Sequence, residues 1–512
     1  MSETALDMFA VRVERDPDAE FLLTADGVGR TYAELADRVA RLAAAIGDAG
    51  AAAGDVVGLY LANDPAWVVA VLACWWSGCA FAACGTLSPP EEARGRFALA
   101  APRVVVTTAE LEGAWSTVGI STEGDVAAPG PTPPRASPDP DDVAAVYFTS
   151  GTTATPKGIV HTHRRLAEGA RTTASAYARD PGFRPRVAPG ERPPSISFSP
   201  FGHMAGLGRM IFRIYVGRSL LLVPKFDVGV VRDLAARYPL DTLQLTPAMV
   251  HALAFTGDDI ALGSLRYITS GTAPLPIATR EAFERRYGVP VLQAYGSTEG
   301  GITALERYED AVAGRRGPGS VGRVAEGCAL RIVDEAGGDV PPGGDGEILG
   351  RPDPARAGRV LTDDGPESLP VDADGWYHTG DVGHVDEHGI LYVTGRLKEM
   401  LIVGGFNVFP AEVEDALRRS DLVRDAVVVA EPDDRLGEIP VAGVVWSDPS
   451  GDVAGPASRD VEALVAHCRA LLAPYKVPRR WFTLAALPLT PNGKLDRRRA
   501  AELAAAAAGD DG

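Results

Sequence analysis

Tyr147-Phe148-Thr149-Ser150-Gly151-Thr152-Thr153-Ala154-Thr155-Pro156-Lys157-Gly158 is a stretch in which an apolar, β-type run, Val143 to Phe148, gives way to closely spaced hydroxyls, two glycines and one lysine. Backbone N–H, hydroxyl and ammonium donors packed this densely suit a loop that wraps phosphate oxygens, and a triphosphate is the natural guest. The ordinary NTPase loop does not fit. It needs Gly, four residues and then Gly-Lys-Ser/Thr, and counting from Gly151 puts Pro156 where the second glycine belongs. Taken alone, the stretch also reads as a plain polar turn after a strand, so the rest of the chain has to decide.

The chain has 512 residues, enough for about three units of ordinary size. A net charge of −18 and a sequence pI of about 5.0 argue against nucleic-acid or anionic-membrane binding, both of which rely on basic surface. Any anionic ligand must be met by local positive charge. Five cysteines (Cys74, Cys79, Cys84, Cys328, Cys468) form no CxxC pair and read as reduced, mostly buried thiols. With no basic and apolar leader at Met1-Ser2-Glu3-Thr4, a cytoplasmic protein is expected. Val68 to Leu87 carries no charge over twenty residues, long enough to cross a bilayer. Gly78 interrupts it and Asp64-Pro65 is a good helix start, so it reads as a buried helix over 65–77 followed by a core strand, and no membrane span is expected.

Towards the N-terminus, Phe21-Leu22-Leu23 with Asp26-Gly27 predicts a hairpin, and Thr31-Tyr32-Ala33-Glu34 is a capping box that opens a helix. Ala127 to Asp142, rich in proline, predicts an irregular surface connection. Between Ser195 and Tyr295 apolar runs at 219–223, 242–246, 265–269 and 290–295 alternate with helical patterns at 228–238, 247–254 and 276–287. That alternation predicts βαβ units around a largely parallel sheet, whose ligands sit beyond the carboxyl ends of the strands. The polar stretches Ser270-Gly271-Thr272-Ala273-Pro274 and Tyr295-Gly296-Ser297-Thr298-Glu299 each follow such a strand, as the opening stretch does. All three are therefore expected at one cleft. Gly317 to Gly322 matches GxGxxG, but a polar run precedes it and no βαβ unit surrounds it. From Ala329, short strands broken by glycine turns predict a small barrel or sheet. Beyond Lys398 come helix 411–419, strands 425–430 and 441–446 and helix 460–472, a small α+β pattern, and Ala500 to Ala508 reads as a frayed helix or tail.

In order and spacing these motifs resemble the adenylate-forming superfamily of acyl-CoA and aryl-CoA synthetases, nonribosomal peptide adenylation domains and firefly luciferases, with bacterial acyl-CoA or aryl-CoA ligases nearest. The resemblance covers nearly the whole chain. It implies an α/β fold, a large N-terminal domain over 1–397 made of βαβ sheets plus a small β-barrel-like part, and a small mobile α+β C-terminal domain over 398–512. It further implies that Thr149, Ser150, Gly151, Thr152, Thr153 and Lys157 hold the phosphates of ATP, with Gly271, Thr272 and Ala273 also at the nucleotide. Tyr295 would lie against adenine, Thr298 would meet the α-phosphate and Glu299 would hold Mg²⁺. Trp376-Tyr377-His378-Thr379-Gly380-Asp381 resembles the segment whose aspartate accepts both ribose hydroxyls, with Arg396 near ribose or phosphate. Lys398 would be the hinge. Pro491-Asn492-Gly493-Lys494-Leu495 resembles the motif whose lysine bridges substrate carboxylate and α-phosphate; Arg497, Arg498 and Arg499 read as a solvated basic face.

The same resemblance implies the substrates. Ser199-Pro200-Phe201-Gly202-His203-Met204 looks like the substrate-pocket motif of CoA ligases, placing His203, Met204 and Gly296 at the acid. No aspartate stands there to pair with an α-ammonium, so a small carboxylic acid without an α-amino group is favoured. Gly404, Gly405 and Phe406 look like the loop past which the pantetheine of coenzyme A would thread. A carrier-protein pantetheine is the alternative acceptor, and a non-catalytic nucleotide-binding protein is the reading from another class. Three departures stand out: Ala154 where a glycine is usual, a polar loop over 353–374 after Gly350, and Gly202 before His203.

Overall fold

The computed structural model describes residues 4–127, 130–149, 157–178, 193–297, 299–351, 359–362, 365–447, 458–489 and 495–509. Ser150 to Pro156, Thr298 and Pro491 to Lys494 lie outside them, so the expectations placed on Ser150, Gly151, Thr152, Thr153, Thr298 and Lys494, and on Ala154, do too.

A large N-terminal domain is built on two long sheets, and a smaller C-terminal domain on a third. In the eight-stranded sheet, Val56–Leu61 lies in parallel between Ala80–Gly85 and Val104–Thr107. Ala80–Gly85 pairs in parallel with Val143–Thr149, the strand that runs into the opening stretch, and Lys157–Thr162 returns antiparallel beside it. The helix Ala66–Trp76 is buried on every side except at its last residue, which is why its sequence shows no polar face. Residues 66–85 thus form a core helix and core strand as expected, and no described helix is long and apolar enough to cross a membrane. The capping box at Thr31 and Glu34 starts the helix Tyr32–Asp48, whose Leu35, Val39, Leu42 and Ile46 face the same core.

In the thirteen-stranded sheet the predicted alternation appears as parallel strands Ser195–Ser197, Thr242–Leu245, Tyr267–Ser270 and Val291–Ser297. From Val291–Ser297 the path turns antiparallel through Gly301–Leu305, Ser320–Val324, Leu391–Arg396, Tyr377–Val385, Gly346–Arg351 and Ala329–Val333. The GxGxxG match falls at the start of one of these antiparallel strands. Gly322 is needed for close approach, since a Cβ there would lie 2.1 Å from the Leu305 carbonyl carbon. The polar loop expected over 353–374 needs correction. Arg359–Thr362 and Gly365–Ser368 form a hairpin, and its first strand pairs with Lys157–Thr162.

In the C-terminal domain, alternate residues of Val423–Asp433 and Gly437–Trp446 serve two cores, as a pleated strand allows. Ala426, Val428, Ala442 and Val444 pack with Leu464 and Cys468, while Val427, Val429 and Val441 pack with Ala500 and Ala504. The alanine-rich end is therefore a docked helix, Arg497–Gly509, and not a frayed tail; small side chains let it lie close to the sheet. Arg497 is likewise no part of a solvated face. It pairs with Glu399 at 2.9 Å and with buried Glu414 and donates to Val428 O, whereas Arg498 and Arg499 do stand in solvent.

Candidate active site

The two sheets of the large domain approach each other near their strand ends, where a Cβ on Gly202 would lie 3.0 Å from Gly85 N and Arg165 Nη2 donates to Glu299 O at 2.9 Å, and each side is braced from below. Beneath Val291–Ser297 the buried Glu306 carboxylate accepts the Gln293 N–H at 2.8 Å, Arg280 Nη2 at 3.0 Å, Arg316 Nη1 at 3.1 Å and the Ser320 hydroxyl. A fully partnered buried network of this kind holds a strand end rigidly. On the opposite side the Tyr147 hydroxyl donates to Phe201 O at 3.1 Å, tying the strand that leads into residues 150–156 to the loop before His203.

Tyr295, Asp381 and Arg396 converge. The Tyr295 hydroxyl donates to Asp381 Oδ2 at 2.7 Å, and Arg396 Nε stands 2.8 Å from Oδ1. Pairing of Asp381 with Arg396 across adjacent strands and the positive φ of Gly380 set this geometry. Burial raises the Asp381 pKa, against the pull of Arg396. Burial, then the charge of Asp381, raises that of Tyr295. Gly271 approaches the same strand so closely that a Cβ would lie 3.2 Å from Ala294 O. Thr272 has φ of +73°, rare for a β-branched residue, and Ala273 follows half-buried.

Glu299 lies in the turn after that strand, half-buried, and its carboxylate makes no hydrogen bond or ion pair among the described residues. Among the described residues no group of three or more His, Cys, Asp or Glu side chains is arranged to hold a metal ion. Magnesium held mainly by phosphate oxygens and water asks for only one or two carboxylates, and Glu299 fits that need. Lys157 is exposed at the end of the hairpin opposite Thr149.

Of the residues expected at the acid, His203 immediately precedes the helix Met204–Val216 in extended conformation, and both His203 and Met204 are half-buried. Gly202 has a packing reason: a Cβ there would sit 3.0 Å from Gly85 N. Gly296 pairs with Ile302 and is exposed at the rim. Lys398 lies in the 3-10 turn Leu397–Glu399, and its charge and that of Glu399 are felt by Asp381. Beyond it, Gly404 (φ +59°) and Gly405 (φ +85°) are the two-residue turn of the hairpin Leu401–Val403/Phe406–Val408. Positive φ at both positions is what such a turn demands, so these glycines have a structural reason independent of any ligand. Phe406 is exposed and stacks on Tyr475.

The sequence reading missed two cleft side chains. Tyr377 lies close enough to Glu299 and Asp381 for burial and their charges to push its pKa up to about 12. Arg165 donates to the Glu299 carbonyl. The tyrosine lay in a motif read only for its aspartate, and an arginine at a helix start reads as surface.

The chain matches the family model described as AMP-binding enzyme over residues 9–353, and that of the AMP-binding enzyme C-terminal domain over residues 412–494. It is 30% identical to a sulfoacetate–CoA ligase of Cupriavidus necator, covering 97% of both chains. It is 32% identical to an indoleacetate–CoA ligase of Aromatoleum aromaticum, covering 93% of both. Among solved structures, o-succinylbenzoate CoA synthetase from Bacillus subtilis in complex with its acyl-adenylate intermediate aligns with a TM-score of 0.81 at 26% identity, over 96% of this chain and 97% of that one.

Proposed function

The chain belongs to the AMP-binding enzyme family, and we propose that it is an ATP-dependent carboxylate–CoA ligase. It joins a carboxylic acid to AMP with release of pyrophosphate, then passes the acyl group to the thiol of coenzyme A. The observation that carries this reading is the convergence of Tyr295, Asp381 and Arg396, a cluster near which Tyr377 feels the charges of both Asp381 and Glu299, with the Glu299 carbonyl accepting from Arg165 on the helix that follows Lys157–Thr162. The CoA-ligase relatives cover almost the whole chain, which agrees with it.

In the first step two anions meet, so the protein's task is positioning and charge neutralisation. Asp381 accepts the ribose hydroxyls and the Tyr295 ring lies against adenine, with Arg396 close to ribose or phosphate. The loop 150–156 and Lys157 donate to phosphate oxygens, Thr298 meets the α-phosphate, and Lys494 bridges it to the attacking carboxylate. Glu299 would hold Mg²⁺, which when bound neutralises phosphate charge. No protein nucleophile is needed, because the mixed anhydride is already activated. We take the domain boundary at Lys398. Turning the small domain there exchanges Lys494 for the hairpin at Gly404, Gly405 and Phe406, past which pantetheine approaches. Five cysteines outside any disulfide among the described residues suit a reducing, cytoplasmic setting. A carrier-protein pantetheine offers the same thiol, but an acidic carrier would meet a chain of charge −18.

Acid-dependent exchange of labelled pyrophosphate into ATP, run over a panel of carboxylic acids without α-amino groups, tests the first half-reaction. Exchange with at least one acid is expected. ATP binding without exchange for any acid would support a nucleotide-binding protein in place of an enzyme.

A further inference from the structure

Arg165 is the third residue of the helix His163–Ala178, which leaves the phosphate-loop hairpin through Lys157–Thr162. Its backbone N–H donates to Thr162 Oγ1 at 3.2 Å, pinning the helix start to that strand. Arg164, one residue earlier, points outward to Asp141. Arg165 turns inward. It is 7% exposed, and Nη2 donates to the backbone carbonyl of Glu299 at 2.9 Å, across 134 residues of chain. Burial brings its pKa down to about 10 and the Glu299 charge holds it up, so it remains a cation at neutral pH.

Burying a guanidinium costs several kcal/mol unless something nearby makes use of the charge and the donors. A neutral amide could also satisfy the Glu299 carbonyl, so the choice of arginine is not explained by that acceptor. What the arginine adds is reach and rigidity. Its planar fork spans from the helix behind the phosphate loop to the turn that carries Glu299, the acid whose carboxylate has no partner of its own among the described residues.

We propose that Arg165 is a positioning residue that ties the Glu299 turn to the phosphate-loop helix, so that the Glu299 carboxylate stands where a divalent cation entering with a triphosphate needs its protein ligand. The proposal rests on the ATP-dependent reading above. It concerns geometry, and geometry and charge predict opposite signs. Removing a positive charge near Glu299 would by itself strengthen cation binding, whereas a misplaced carboxylate weakens it.

The experiment is calorimetric titration of ATP into the full chain, with Mg²⁺ and with chelator, for wild type, Arg165→Gln, Arg165→Lys, Glu299→Gln and the Arg165→Gln/Glu299→Gln double variant. The readout is the factor by which Mg²⁺ tightens ATP binding. Arg165→Gln should reduce that factor by about tenfold, the weight of one hydrogen bond to a charged group. The double variant should be no worse than Glu299→Gln, because both changes act on one unit. Arg165→Lys, which keeps the charge but loses the fork, should fall between, and it carries the test if Arg165→Gln does not fold. A wild-type or larger factor in the Arg165 variant that folds, or additive losses in the double variant, overturns the proposal and leaves the ligase reading intact. A wild type that binds no ATP in either condition sinks the ligase reading and the proposal together.

Discussion

The Tyr295 hydroxyl donates to Asp381 Oδ2 at 2.7 Å while Arg396 takes the other oxygen at 2.8 Å, so one buried carboxylate joins three segments of the cleft. A carboxylate has about four acceptor sites, which leaves room for the two ribose hydroxyls. Tyr295→Phe keeps the ring and removes one neutral donor, and ATP affinity should stay within about threefold of wild type. On the proposed reading Asp381→Asn replaces the acceptor of the ribose hydroxyls, and the loss should be about tenfold or more. Titration calorimetry of both variants checks the order. Tyr295→Phe as damaging as Asp381→Asn would mean that the tyrosine hydroxyl, and not its ring, matters.

Thr272 holds φ of +73° in the turn after Tyr267–Ser270. Such strain costs on the order of 1–3 kcal/mol and persists where surroundings or function require it. Thr272→Gly should therefore stabilise the fold by about 1 kcal/mol, read as a higher denaturant midpoint with unchanged slope. It should also weaken adenylate formation if the side chain serves the nucleotide. A variant of equal or lower stability would show that the strain is relieved by contacts of the threonine itself.

Gly202 packs where a Cβ would be 3.0 Å from Gly85 N and 3.3 Å from its Cα, so Gly202→Ala must push backbone apart. His203 moves with it. The KM for the acid should rise by about tenfold with the KM for ATP little changed, since a displaced pocket wall loses about 1.4 kcal/mol of acid binding. Equal rises in both constants would take Gly202 and His203 away from the acid.

Asp64 is buried, with Oδ1 accepting the Ala66 N–H at 3.1 Å and Oδ2 without a partner, and burial pushes its pKa up to about 7. Asp64 in the folded form therefore holds its proton more tightly than in the unfolded chain, and its contribution to stability falls as pH rises from about 4 through about 7. Asp415, whose carboxylate accepts the Ile277 N–H where the small domain docks, is raised to about 6 and adds to the same slope. Asp64→Asn should remove its own share of the dependence of the denaturant midpoint on pH across that window. Parallel curves for mutant and wild type would contradict this.

The strands and helices between Ser195 and Tyr295 were legible because each alternation of apolar and helical pattern is local. The capping box at Thr31 and the buried helix Ala66–Trp76 were legible for the same reason. The hairpin at Arg359–Thr362 was not, since a short polar edge strand finds its partner, Lys157–Thr162, some 200 residues away. Ala500 and Ala504 gave no sign of their burial because alanine marks a helix without marking its face. Of the residues expected at the site, Tyr295, Asp381 and Arg396 come together in the folded chain, while Arg165, Tyr147 and Glu306 act through side chains whose targets only the folded chain brings near.

On the proposed reading, Lys494 and Lys398 divide the two half-reactions. Lys494→Ala should lower adenylation by roughly 10²–10³, as loss of one preorganised charge donor does, and spare thioester formation from a synthetic acyl-adenylate. Lys398→Pro fixes φ near −65° within the turn Leu397–Glu399 and should do the reverse. Rapid-quench measurement of each half-reaction separates them, and near-normal adenylation in Lys494→Ala would remove that lysine from its assigned role.

Product balance with coenzyme A present is the most direct test of the ligase reading. The wild-type chain, given ATP, Mg²⁺, an accepted acid and coenzyme A, should form AMP, pyrophosphate and acyl-CoA in equal amounts, with no acyl-adenylate left over, as mass spectrometry of the quenched mixture would show. Formation of ADP, or acyl-adenylate that accumulates while coenzyme A stays unacylated, would contradict it.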